Sequence, residues 1–247
     1  SRNISETLLA DIFSETPIMG ISDYPNRLKA CLASSTSKYD PQVVILTPGR
    51  FNSAYYEHAF LAHEMNVPLV HGYDLVVEDS KVYMQGIRGK VQVDVIYRRI
   101  DDPYIDPLAF KSDSILGVSG LMSAYRAGNV VIVNAPGTGV ADDKSLYPFV
   151  PDMIKFYLNE EPILPNIETY QCRKPDDLVV KETQGSGGYG MLIGPTSTKK
   201  EIEEYRVRLL ENPAGFIAQP TISLSTNPTA VSDGIAPRHI DLRPFIL

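Results

Sequence analysis

The residues after a glycine loop decide what the loop can be. In "LVVKETQGSGGYGMLIGP", residues 178–195, Gly185, Gly187 and Gly190 match the spacing G-x-G-x-x-G. A dinucleotide-binding turn of that spacing must open straight into a helix, whose first amide groups hold the pyrophosphate. Here Gly190 is followed by Met-Leu-Ile and then Gly194-Pro195, which leaves no room for a helix. A Walker A loop is excluded too, because no Gly-Lys-Ser/Thr closes it. The glycines therefore join two strands. In a protein-kinase flap the lysine comes after the glycines, whereas Lys181 comes before them, which disfavours that class. Lys181 lies inside the apolar stretch "LVVKE". A long ammonium side chain there is costly unless it reaches an anion or snorkels to solvent.

The rest of the chain divides into two styles. "PQVVILTPG" (41–49) reads as a buried strand, "NSAYYEHAFLAHEM" (52–65) as a helix capped by Asn52 or Ser53, and "VPLVHGYDLVVED" as strand, turn and strand. Strand, helix, strand at this spacing is a βαβ unit. "KVYMQ" adds a short strand, "VQVDVIYRRIDD" (91–102) a strand ending in charge, and "NVVIVNAPGTG" (129–139) a buried strand opening into a turn. Helices are expected over 113–128, with Gly128 at the C-terminal end, and over 141–158, interrupted by Pro148 and Pro151. After residue 178 the pattern is that of a mostly antiparallel sheet with one charged helix (199–211) and a last strand, "PRHIDLRPFIL". The boundary is expected near Pro175, giving an α/β region over 1–175 and a nucleotide-binding region over 176–247.

Formal net charge is −7 over 247 residues, which argues against nucleic acid or an anionic membrane as a partner but leaves room for a nucleotide in one cleft. Two cysteines, Cys31 and Cys172, with no CxxC fit a reducing cytoplasm. No apolar run reaches the roughly 18 residues needed to span a bilayer. His58 and His63 are five apart and miss the helical zinc spacing, so neither is assigned a metal.

Three further clusters carry chemistry. "NAPGTGVADDK" places Lys144 where a strand end runs into a helix, the usual ligand edge of an α/β sheet. Arg98 and Arg99 point to opposite faces of a strand end. One is expected to face the cleft and the other to pair with Asp101 or Asp102 at the surface. In "PRHIDLRPF", His239, Asp241 and Arg243 share one face of a strand, an arrangement suited to triphosphate and a divalent metal or to an ordinary solvated edge.

Taken in order, "DVIYRRIDD", "VNAPGTGVADDKSLYPFVPDMI", "LVVKETQGSGGYGMLIGP", "IAQPTISLST" and "PRHIDLRPFIL" resemble the circularly permuted ATP-grasp type 2 family, bacterial proteins similar to glutathionylspermidine synthase in their ATP-binding half. "LTPGRFNSAYYEHAFLA" is similar to that family's upstream α/β segment, so the resemblance runs from about residue 40 to 247. It implies an ATP-grasp fold of mixed α/β (α+β) class and an ATP- and Mg²⁺-dependent ligase joining a carboxylate to an amine through an acylphosphate. Lys181 then matches the lysine that contacts the phosphates, and Lys144 the lysine that opens the preceding helix. Gly185, Ser186, Gly187, Gly188, Tyr189 and Gly190 match the glycine flap. Residues 217–221, with Gln219, Pro220 and Thr221, match the hinge strand that reads adenine. Asp241 is the implied metal ligand, and Arg243 and Arg99 are the implied catalytic arginines. The acid and amine are left open, as is the oligomeric state. The family's upstream acidic-Asn and downstream Asn/Gly-rich segments do not occur in these residues, and "CRKPDDLVVK" is shorter than the family's usual connection. The 247 residues by themselves are therefore expected not to turn over ATP. An ATP-binding scaffold without ligase activity is the alternative reading.

Overall fold

The structure, a computed structural model, describes residues 22–171, 178–184 and 190–241. The chain divides into two compact units between Thr138 and Gly139. The boundary expected near Pro175 lies outside the described residues.

In the first unit, α1 (Tyr24–Ser34) is followed by β1 (Val43–Leu46), α2 (Tyr55–Met65) and β2 (Leu69–Val70). Then come β3 (Leu75–Glu78), β4 (Lys81–Gly86), β5 (Gly89–Val93), β6 (Val95–Arg98), α3 (Leu121–Arg126) and β7 (Val131–Val133). Strands β2-β1-β6-β7 form a parallel sheet, with Ile45 opposite both Leu69 and Tyr97, and Ile96 opposite Ile132. Strands β3-β4-β5 form a separate antiparallel sheet. Every residue of β1 is buried, as a strand covered on both faces requires. Val44, Leu46, Ile96 and Ile132 pack with Leu121 and Ala124 of α3 and with Val82 and Val93 of the antiparallel sheet. Val43, Ile45 and Val95 pack on the other side with Leu32 of α1 and Ala62 and Met65 of α2. Each large apolar side chain buried this way contributes about 1.5–3 kcal/mol.

The strand expected over 91–102 is in fact two strands in two sheets, and Asp94 is the joint. Its amide donates to the Gln42 carbonyl at 3.0 Å, and its carbonyl accepts from Val131 N at 2.9 Å. Its carboxylate accepts from Gln42 N at 2.9 Å and pairs with Lys38. The helix expected over 113–128 shrinks to six residues because a buried carboxylate organises the loop before it. Asp106, 1% exposed, accepts the amides of Leu108, Gly120 and Met122 at 2.9–3.1 Å. Gly117 lies so close to the Tyr104 and Ile105 carbonyls that a Cβ would come within 2.2 and 2.4 Å of them. Gly128, at φ +73°, closes the shortened helix as expected. Helix α2 starts three residues late, at Tyr55, and Asn52 Oδ1 accepts from Ala54 N at 2.8 Å in the turn before it.

In the second unit a 3₁₀ turn, Lys144–Phe149, contains Pro148 and runs into α4 (Val150–Leu158), with Pro151 in its first turn. Next come β8 (Tyr170–Gln171), β9 (Leu178–Glu182), β10 (Met191–Ile193), α5 (Lys199–Glu211) and β11 (Phe216–Pro220). The antiparallel sheet has the order β10-β9-β11-β8. Val180, Leu192, Phe216 and Ala218 pack against Tyr205 and Leu209 of α5. Thr198 and Glu201 form a capping box at the start of that helix, with Glu201 N donating to Thr198 Oγ1 and Thr198 N to Glu201 Oε2. Strands β12 (Thr226–Val231) and β13 (Gly234–His239) form a hairpin in which Pro228 faces Pro237. Of the last strand expected over 237–247, residues 237–239 end β13, 240 and 241 follow it without strand structure, and 242–247 lie outside the described residues. Among the described residues no helix is long and apolar enough to cross a membrane.

Candidate functional site

Alternation along β9 and β11 separates the two faces of the second unit's sheet. Val180, Ala218 and Phe216 point to α5, so Lys181, Ile217 and Gln219 share the opposite face. Lys181 Nζ donates to Gln219 Oε1 at 2.8 Å, and Gln219 Nε2 donates to Thr169 Oγ1 at 2.9 Å. Both ends of the Gln219 amide are thereby fixed, with its oxygen held toward the lysine. Gln219 is 7% exposed, and among the described residues no carboxylate pairs with Lys181. Burial, together with the positive charge of Lys144, holds the Lys181 ammonium below the usual lysine range.

Lys144 opens its turn against the end of β9. Its amide donates to the Thr183 carbonyl at 3.0 Å, and its Nζ reaches the Glu182 and Thr183 carbonyls at 3.0 and 3.4 Å. Asp143 caps the turn by accepting Ser145 N at 2.8 Å, and the hydrogen bonds from Ser145 lower its pKa. The structure thus brings Lys144, Lys181 and Gln219 together, with Pro220 ending β11 and Thr221 exposed just beyond it.

Gly190 is the one flap residue within the described part of the chain; Gly185, Ser186, Gly187, Gly188 and Tyr189 lie outside it. Its φ is +67°, and a Cβ there would come within 2.5 Å of the Glu182 carboxyl carbon. Glu182 is in turn bridged to Arg208 of α5, and Tyr205 of the same helix donates its hydroxyl to the Gly190 carbonyl. The end of the glycine loop is therefore fastened to α5. Asp241 lies just after β13, beyond His239, whose Nδ1 is 3.1 Å from the Leu224 carbonyl oxygen; Arg243 lies outside the described residues. No group of three His, Cys, Asp or Glu side chains among the described residues could hold a metal ion.

The first unit has its own cleft, of about 330 Å³, at the carboxyl end of its parallel sheet. Arg98 and Arg99 at the end of β6 have opposite fates. The Arg98 side chain is 8% exposed and closely partnered: Nε donates to the Asn134 carbonyl, Nη1 to Ile100, Nη2 to Ala135, and Asp102 Oδ1 lies 2.8 Å away. The pair with Asp102 is therefore buried, not on the surface. Arg99 turns to the cleft, held by the Tyr97 hydroxyl at 3.1 Å and lying over the Tyr97 ring. Behind it His58 is 1% exposed, with Nδ1 at 2.9 Å from Thr47 Oγ1. Desolvation, and then the Arg99 charge, lower its pKa to about 4, so the imidazole is neutral at pH 7. Sequence reasoning misses Thr169 and Asp106, whose roles depend on partners far along the chain and leave no local signal.

The first unit is thus a parallel α/β unit, and the second carries Lys181 on its antiparallel sheet with Lys144 in the turn beside the end of the same strand. The circularly permuted ATP-grasp type 2 model matches residues 1–247, and the chain belongs to that family. It is 47% identical over 259 residues to an uncharacterized protein of Synechocystis, covering 100% of this chain and 54% of that one. An uncharacterized Mycobacterium tuberculosis protein is 46% identical over 257 residues, covering 99% and 47%. A Frankia casuarinae protein named "Putative glutamate--cysteine ligase 2-2" is 38% identical over 260 residues, covering 99% and 30%. The chain thus spans about half the length, or less, of the curated relatives it matches.

Proposed function

We propose that the protein is an ATP-dependent ligase that joins a carboxylate to an amine, forming an amide through an acylphosphate with release of ADP and phosphate. The observation that carries this reading is Lys181, in a chain of the ATP-grasp family. It is a half-buried ammonium whose one hydrogen-bond partner among the described residues is a neutral amide, with a second lysine beside it. Such a group gains most from a ligand bearing negative charge. Triphosphate fits that environment. Lys181 and Lys144 hold its oxygens, the backbone of residues 185–190 covers them, and the strand end at Gln219, Pro220 and Thr221 receives the base. ATP supplies the phosphoryl group that activates the acid. Mg²⁺ accompanies the triphosphate, with Asp241 as one ligand, and Arg243 and Arg99 act on the anionic reactants. The Frankia relative is named for joining glutamate to cysteine. We carry over only the class, an amino-acid or peptide acid, together with a peptide- or polyamine-like amine as in glutathionylspermidine synthase.

The test is ADP release measured across panels of acids and amines. The ligase reading expects release that requires both. ATP binding without such release from any pair would make the protein a nucleotide-binding scaffold instead.

A further inference from the structure

We infer that the first unit's cleft is a binding site for a small zwitterion, an α-amino acid or an amino-acid-like end of a short peptide. The inference rests on the ligase reading for its role in turnover, but its chemistry is local to this unit.

Two charges of opposite sign face the same small cleft with no ion-pair partner among the described residues. Arg99 makes one side-chain hydrogen bond, to the neutral Tyr97 hydroxyl, and lies on that residue's ring. A guanidinium has five N–H donors, so most of the Arg99 set is left for a ligand. Asp101, two residues on, also lines the cleft and enters no salt bridge with any described residue. The adjacent pair shows that this is not a shortage of partners: Asp102 goes to Arg98. The cleft's other cation, Lys111, lies 3.9 Å from Asp113 and over the Tyr104 ring.

Asn52 adds a neutral donor. Its Oδ1 is used by Ala54 N, while its Nδ2 has no partner among the described residues. Of the other lining residues, Phe51, 64% exposed, Ile115 and the ring of Tyr104 give apolar surface, while Lys111, Asp113 and Ser114 are polar. A carboxylate on Arg99 and Asn52, an ammonium on Asp101 and a carbon body against Phe51 and Tyr104 would give these three polar side chains partners. A volume of about 330 Å³ suits a ligand, or the end of one, of roughly amino-acid size. Ligands of open α/β sheets collect at this carboxyl edge. The wall is also prearranged, since Asp106 and Gly117 fix the loop that carries Tyr104 and Lys111.

The experiment is calorimetric titration of the protein, without ATP, with L-phenylalanine, L-glutamate, L-phenylalaninamide and N-acetyl-L-phenylalanine. At least one free amino acid should bind, and removing the carboxylate charge of phenylalanine should cost roughly ten-fold or more in affinity. Arg99→Ala should cost about as much and Arg99→Lys less. In Asp101→Asn the free and N-acetylated ligands should become nearly equal. If Arg99→Ala fails to fold, Arg99→Lys and the exposed Asp101→Asn still decide. The inference is overturned if neither amino acid binds, or if folded variants bind as tightly as the wild type. ATP titrated separately distinguishes the failures: ATP binding without amino-acid binding removes this site and leaves the nucleotide reading standing.

Discussion

The parallel sheet of the first unit and the antiparallel sheet of the second each carry cations close to the core, and they treat them differently. At the end of β6, Arg98 is surrounded by three carbonyls and a carboxylate. On β9, Lys181 has one neutral acceptor among the described residues and a like-charged neighbour. The first arrangement lowers the energy of the folded chain by itself. The second leaves electrostatic energy to be released by something that is not part of the described chain. A buried charge marks a site only when its partners do not complete it, and the same test separates Arg99 from Arg98 at adjacent positions.

The largest effect is expected at the closely partnered arginine, Arg98. Arg98→Met should destabilise the first unit by about 3–5 kcal/mol, because Asp102 and three carbonyls lose their buried partner. Denaturant melting reads this directly, and a loss below about 1 kcal/mol would show that the clamp is not structural.

At the incomplete lysine the opposite pattern is expected. Lys181→Met should leave the melting temperature unchanged or raised, since it removes a desolvated charge that is only partly compensated. It should weaken ATP roughly ten- to hundred-fold, as for the loss of a charge-assisted contact worth about 1.5–3 kcal/mol. Equal ATP affinity by calorimetry would remove Lys181 from the site.

His58 extends the contrast to a buried group kept neutral. Its folded pKa, about 4, lies below the ordinary histidine value of 6.5. The unfolded chain therefore takes up the proton first, and stability that is complete above pH 6.5 falls as pH drops toward 4. The loss should approach about 3 kcal/mol at most. Subtracting the pH profile of His58→Gln isolates this from carboxylate titration, and identical profiles would refute it. The smallest effect is expected at the Thr198 cap, where Thr198→Ala should cost about 1 kcal/mol by the same denaturant measurement.

Local periodicity is legible in the sequence, and long-range partners are not. The fully apolar "VVIL" announces a strand covered on both faces, and "LVVKE" followed by glycines and Gly194-Pro195 announces two strands joined by a loop. Asp94 cannot be read in this way, because "VQVDVIYR" keeps its alternation while the chain changes sheets. The exchange depends on Gln42 and Lys38, about fifty residues earlier. Helix α3 is shorter than its pattern for the same reason: the periodicity over 113–128 is helical, but Asp106 holds its start in a loop. At the site, Lys144 and Lys181 stand out as cations in apolar or turn contexts. Their proximity, and the Gln219–Thr169 link that orients one of them, exist only through the register of β9 on β11.

The central claim is that Lys181 is held in a state that an anion completes. It is tested most directly by following the Lys181 side chain through a pH titration by NMR, with and without ATP. Without nucleotide the ammonium should lose its proton below the usual lysine pH, because of burial and Lys144. With ATP bound the titration should move up to or past the usual value, since phosphate stabilises the charged form. A Lys181 titration that is already ordinary in the free protein, or that ATP does not move, would contradict the account.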